Sequence, residues 1–182
     1  HYLEARRSLE QSVVEGHSAA IHERLLTVQE FSRARAVLSY VASKDNEVDT
    51  RPIIQSLLDA GRLVWVPIVR PERTLEWSRL ESLAELAPSR FGILEPRPEF
   101  QRISLPPADG VVLVPGIVFS ENGYRIGYGG GYFDRFLGTY RGVKIGLALE
   151  IQLVSSFPTE PGDVPVDILV TESRILRPGY DG

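Results

Sequence analysis

The chain has 182 residues, 43% of them hydrophobic and 24% charged, and carries a net charge of −4 at neutral pH. That size and balance describe a globular protein with room for its own core, exclude a disordered chain, and give no basic field to draw nucleic acid or an anionic membrane. Cysteine is absent and the three histidines stand at positions 1, 17 and 22, which excludes disulfides, thiolate chemistry, and a histidine-based triad or metal site in the later chain.

Residues 2–30 read as helix in two pieces. Val13, Val14, Ala20, Ile21, Leu25 and Leu26 give the second a period near 3.6, with Ser12 as its candidate N-cap. Ala36 to Val41 reads as a short buried strand, followed by a polar loop from Ser43 to Asp49. Asp49 or Thr50 can open a helix running to Ala60, with Pro52 in its first turn and Gly61 past its end. Leu63 to Val69 is the next strand, and Thr74 to Ser78 alternates as an edge strand does. Leu80 to Leu86 reads as a weak helix, and 91–107 mostly as connection. Val111–Val114, Lys144–Leu149 and Val166–Val170 are apolar runs of the kind buried on both faces of a parallel sheet. Strands alternating with helices imply one α/β domain over residues 1–182.

Eight of the sixteen glycines fall within residues 123–146. Their centre is the run Arg125-Ile126-Gly127-Tyr128-Gly129-Gly130-Gly131-Tyr132-Phe133-Asp134. Phe133, Phe136, Leu137 and Tyr140 then fall at i, i+3, i+4 and i+7, one apolar helix face. Bare main chain opening a helix lets a ligand approach closely and offers N–H groups to an anion. Arg125 can add a forked contact to phosphate, and Asp134 can hold Mg²⁺. The plain alternative is a flexible turn closed by an acidic first-turn residue, which the helix dipole favours anyway. The Walker pattern is absent, and Tyr132 stands where a dinucleotide fingerprint needs its third glycine.

Val114-Pro115-Gly116-Ile117-Val118-Phe119, followed by the run Gly123 to Arg135, closely resembles the signature of 5-formyltetrahydrofolate cyclo-ligases. Asn46 to Thr50, Gly61-Arg62 with the strand after it, Gly92 to Pro96 and Asp163 to Asp167 agree with that family in order, over about residues 6–172. The resemblance implies a three-layer α/β/α fold with a largely parallel central sheet, of the sugar-phosphate-isomerase or CoA-transferase-like type. It implies an ATP- and Mg²⁺-dependent conversion of 5-formyltetrahydrofolate to 5,10-methenyltetrahydrofolate, with ADP and phosphate released, in a monomeric, cytoplasmic enzyme without membrane or nucleic-acid partners.

Carried onto this chain, the resemblance implies that Arg125 and Gly127, Tyr128, Gly129, Gly130, Gly131, Tyr132, Phe133 and Asp134 hold the nucleotide. Tyr128 to Tyr132 also face the folate, together with Ala42 and Glu47; Tyr132 and Arg125 act at the reacting group; Asp134 and Asp163 are the magnesium carboxylates. Three departures stand beside it. A basic pair that the family has in its first helix would precede His1, so a start further upstream is expected; the chain has no methionine. Arg6 and Arg7 are read as surface charges. Phe133 replaces a common tyrosine, and Gly130 a lysine found in some members. Glu95 is left as structural or site-lining. Two other readings remain: an isomerase- or CoA-transferase-like enzyme, on fold analogy alone, and a folate- or nucleotide-binding regulatory protein without turnover.

Overall fold

The computed structural model describes residues 1–179. Three helices open the chain, α1 (Tyr2–Arg7), α2 (Gln11–Leu25) and α3 (Gln29–Arg33), one more piece than the sequence suggests. Ser12 lies inside the first turn of α2; Glu10, in extended conformation, occupies the cap position. β1 (Ala36–Ser39) leads through the loop 40–50 into α4 (Arg51–Asp59) and then β2 (Leu63–Arg70). Thr50 precedes α4 without capping it by its side chain. Its hydroxyl is used elsewhere, donating to the Tyr40 carbonyl at 2.7 Å and accepting from the Ala42 amide at 3.1 Å.

β3 (Thr74–Leu80) pairs antiparallel with β2 and forms the expected edge. The helix expected over Leu80–Leu86 is not there. Leu80 ends β3, residues 83–85 make one tight turn, and β4 (Leu86–Pro88) pairs with β5 (Leu94–Pro96), a hairpin whose second strand falls in the stretch read as connection. Seven residues are too few for a helix to outweigh strand pairing on both sides. β6 (Val111–Val114) is followed by a small three-stranded sheet of β7 (Val118–Ser120), β8 (Arg125–Ile126) and β10 (Leu153–Val154). The glycine run leaves β8 and enters α5 (Tyr132–Leu137), so a hairpin separates it from the buried strand. β9 (Val143–Leu147), β11 (Ile168–Val170) and β12 (Ile175–Leu176) complete the chain.

The main sheet runs β12-β11-β9-β6-β1-β2-β3. Its inner ladders are all parallel; only the edge strands β3 and β12 run antiparallel. Side chains alternate between its faces. Val37, Val64, Val66, Val111, Leu113, Ile145, Leu147, Ile168 and Val170 pack with Ile21, Leu25 and Phe31 and with Ile53, Ile54 and Leu57 of α4. Ala36, Leu38, Trp65, Val112, Val114 and Leu169 pack on the opposite face with Trp77, Phe119, Leu137 and Tyr140. Two apolar layers on one sheet give the three-layer α/β/α arrangement that was expected.

This topology places a switch point between β1 and β6. From β1 the chain crosses by α4 to β2 on one side; from β6 it goes on to β9 and β11 on the other. β1 and β6 are neighbours and parallel, so the loops leaving their carboxyl ends part in opposite directions. A crevice at such a switch point is where open α/β sheets bind ligands. Loop 40–50 leaves β1, and the segment ending in the glycine run leaves β6.

Candidate active site

The floor of the crevice is built from backbone carbonyls and buried side chains. Gln152, 1% exposed, donates its amide to the carbonyls of Gly116 and Ile117 at 2.7 and 3.0 Å. Arg125 projects from β8 into the interior; its Nε donates to the Pro115 carbonyl at 2.7 Å and its Nη1 to Asp134 Oδ1 at 3.1 Å. Its side chain is only 7% exposed, whereas that of Asp134 is 45% exposed. Burial lowers the pKa of the guanidinium, and the Asp134 carboxylate opposes that loss. The Phe133 ring lies 5.7 Å from the guanidinium carbon.

Main chain dominates the glycine run. Gly129 and Gly131 have φ of +94° and +73°, which side chains rarely adopt, and a Cβ at either would meet nothing within 4 Å. Gly127 and Gly130 are constrained by close approach instead. A Cβ at Gly127 would lie 2.6 Å from Arg125 Nη2, and one at Gly130 would lie 2.7 Å from the Tyr132 ring. The run therefore presents an open backbone face above a buried cation. α5 holds its far end through Phe133 and Phe136, which lie against Trp77 of β3 with ring centroids 6.3 and 4.9 Å away.

A cavity of about 300 Å³ lies beside it, between α2, loop 42–49 and the β4–β5 hairpin. Ala42 and Glu47 both line it. Glu47 accepts the Ser43 amide at 3.0 Å, and burial raises its carboxyl above the usual range. Ser43 ties the hairpin down, its hydroxyl accepting the Leu94 amide at 2.9 Å. Tyr128 reaches from the glycine run toward this loop: its hydroxyl donates to Asp45 Oδ2 at 3.2 Å, and Lys44 Nζ lies 4.7 Å from its ring centre. Burial pushes the Tyr128 hydroxyl up to about 12.

The structure thus brings Arg125, the glycine run, Tyr132, Phe133 and Asp134 into one loop, and Ala42 and Glu47 into the adjoining cavity. Asp163 is set apart from this arrangement in its contacts. It lies exposed in the turn 160–163, where its Oδ2 accepts the Glu160 amide at 2.7 Å. Among the described residues there is no cluster of three or more metal-ligating side chains. Glu95 accepts the Val69 amide at 2.8 Å, which accounts for it structurally. Arg6 corrects the sequence reading: it is not a surface charge but 2% exposed, with Nη2 donating to the Tyr128 hydroxyl at 2.6 Å. Its partners lie 39 to 122 residues away in sequence, and no local pattern could have pointed to them. Arg7 does face solvent, paired with Asp45 Oδ1 at 2.7 Å.

A buried cation under bare main chain, next to a cavity with a buried carboxyl at a switch point of the sheet, is the kind of place where α/β proteins bind their ligands. Comparison with known proteins gives the family. The model for the 5-formyltetrahydrofolate cyclo-ligase family matches residues 1–172. The 5-formyltetrahydrofolate cyclo-ligase of Escherichia coli K12 is 33% identical over 177 residues, covering 93% of this chain and 96% of that protein. The NMR structure of Aquifex aeolicus 5,10-methenyltetrahydrofolate synthetase superposes with a TM-score of 0.80 at 32% identity, over 100% of this chain and 90% of that one. The Mycoplasma pneumoniae 5,10-methenyltetrahydrofolate synthetase shares the fold, with a TM-score of 0.69 at 21% identity over 94% of each chain. The chain belongs to the 5-formyltetrahydrofolate cyclo-ligase family and is an enzyme of that family.

Proposed function

We propose that this protein converts 5-formyltetrahydrofolate to 5,10-methenyltetrahydrofolate, using ATP and Mg²⁺. The observation that carries the reading is the pairing of two unlike half-sites in the segments that follow the adjacent strands β1 and β6: the glycine run over Arg125, and the cavity with Ala42 and Glu47. The first suits a chain of phosphates. Its open face would be filled by side chains at Gly129 or Gly131, and Arg125 brings a forked cation beneath it. Asp134 is half-exposed at the loop's end, and magnesium on a nucleotide needs only one or two carboxylates besides the phosphates. Asp163 serves as the second carboxylate in this reading; its turn keeps it solvent-exposed. Arg125, the glycine run and Asp134 support the nucleotide half of this reading.

A bound magnesium nucleotide supplies the phosphoryl group that makes the formyl oxygen of the folate a leaving group, so that N10 closes the ring. The protein's part is positioning and charge neutralisation rather than a covalent nucleophile. Arg125 offsets phosphate charge from a site largely shielded from water, where the interaction is stronger than in bulk. Glu47 offers an acceptor to the N–H edge of a pterin. Tyr132 lies where the two half-sites meet in this reading, its ring fixed beside Gly130.

The test is direct. Purified protein with 5-formyltetrahydrofolate, ATP and Mg²⁺ should develop methenyl-folate absorbance, and omission of either ATP or the ion should abolish it. Asp134→Asn, which keeps a hydrogen-bonding side chain at a half-exposed position, should lower turnover at least tenfold, about 1.4 kcal/mol in the barrier, with an unchanged circular dichroism spectrum. Ligand-induced stabilisation without turnover would favour a regulatory binder instead.

A further inference from the structure

Among the described residues Arg6 is the most deeply buried charged side chain, and the reaction does not account for it. It lies on α1, 2% exposed. Its guanidinium serves three separate segments. Nε donates to the Asp45 carbonyl at 2.7 Å, Nη1 to the Gly116 carbonyl at 3.0 Å and Nη2 to the Tyr128 hydroxyl at 2.6 Å. The acceptors are two carbonyls and a phenol, not a carboxylate. A buried cation held this way is costly to build, so what it holds matters.

One end of the tie is a left-handed turn. Asp45 and Asn46 have φ of 57° and 56°, a region in which Asp and Asn are the commonest residues after glycine. The turn is joined to α1 by a reciprocal lock. Arg6 holds the Asp45 carbonyl, while Asn46 Nδ2 donates back to the carbonyls of Arg6, Arg7 and Leu9 at 2.9, 3.2 and 3.0 Å. The end of α1 thus receives the donors its last carbonyls lack, and the turn receives the charge that keeps it left-handed. Glu47 follows directly on that turn and lines the cavity. The other end of the tie is Tyr128 in the glycine run, whose hydroxyl accepts from Arg6 and donates to Asp45.

We propose that Arg6 is a positioning residue for the reaction: it fastens the turn carrying Glu47 to the glycine run, so that the folate half and the phosphate half of the site are held in one fixed relation. This rests on the assignment of the two half-sites under Proposed function. Arg6 touches neither ligand; it acts through Asp45 and Tyr128. Lysine cannot replace it, because one ammonium on a flexible stem cannot fork to three diverging acceptors.

The experiment compares wild type with Arg6→Lys, Tyr128→Phe and the double variant, by steady-state kinetics and amide hydrogen exchange. Each single variant should lower kcat by about tenfold, with both KM values changed much less, as loss of alignment between two bound reactants requires. The double variant should be no worse than the worse single one, because both changes break the same tie. Exchange should quicken at residues 45–47 and 127–131 in both single variants. An anchor that served only the fold would lower thermal stability and leave kcat as in wild type; that result overturns the proposal, as do losses that multiply in the double variant. If Arg6→Lys does not fold, Tyr128→Phe decides alone, since it removes one hydroxyl from a half-exposed ring: unchanged kcat and unchanged exchange refute the tie. Absence of wild-type turnover, with exchange still quickened in the variants, refutes the assigned reaction and supports the tie.

Discussion

Gly127 and Glu47 illustrate how single residues are held by what surrounds them. A methyl group at position 127 would lie 2.6 Å from the buried end of Arg125, so the guanidinium would have to shift away from its bonds to Pro115 and Asp134. Gly127→Ala should therefore raise the ATP KM by about tenfold, roughly 1.4 kcal/mol of binding, while the folate KM changes little; equal effects on both substrates would contradict a phosphate-side role. Glu47 behaves differently because its carboxyl is raised by burial. The folded protein binds that proton more tightly than the unfolded chain does. The stability it contributes is complete below the ordinary carboxylate pKa of about 4.3 and is lost as pH rises through the higher folded value. Glu47→Gln removes that loss. Thermal melts should show the variant a few degrees more stable than wild type at pH 7 and indistinguishable from it below about pH 4. Its folate KM should rise at the same time, the exchange of stability for function usual at a binding site.

At the scale of the element, α5 is six residues long, too short to be stable by itself. Its order comes from the aromatic contacts beneath it. Phe136 packs on Trp77 at 4.9 Å and on Tyr140 at 5.1 Å. The i, i+3, i+4, i+7 spacing pointed correctly to this apolar face, but Tyr140 packs from beyond the end of the helix. Phe136→Ala should cost about 2 kcal/mol, less than for a fully enclosed ring, measured by urea unfolding. It should also loosen the glycine run that the helix terminates, seen as faster amide exchange at 129–131. The stretch 80–96 failed as a sequence reading for a related reason. Strands of three residues carry almost no periodicity of their own, and β4 and β5 exist because they pair with each other.

For the whole molecule, the decisive feature is the divergence of the chain at β1 and β6. The central strands are buried on both faces, so damage there reaches both layers. Leu113 is fully buried on β6, and Leu113→Ala should lower unfolding free energy by about 3 kcal/mol in a single cooperative urea transition. Loss of cooperativity would mean that the two layers are less coupled than one sheet implies. The same divergence makes one crevice from two loops about eighty residues apart in sequence. In the proposed function each loop supplies half of the site. Among the described residues no helix is long and apolar enough to cross a membrane.

Six of the seven strands of the central sheet (all but the two-residue edge strand β12), the helix after Thr50, the glycine run and the family signature were legible in the sequence, because each depends on spacing within a dozen residues or on backbone freedom that only glycine supplies. The resemblance also named Glu47, Ala42 and Asp134, though nothing local set Glu47 apart from a solvated loop acid. Which carboxyl is buried, which arginine is interior, and that Arg6 rather than Arg7 reaches Tyr128 were decided by the tertiary structure. Desolvation and hydrogen-bond partners are properties of neighbours, and here those neighbours are brought together only when the parallel sheet closes the distance between them.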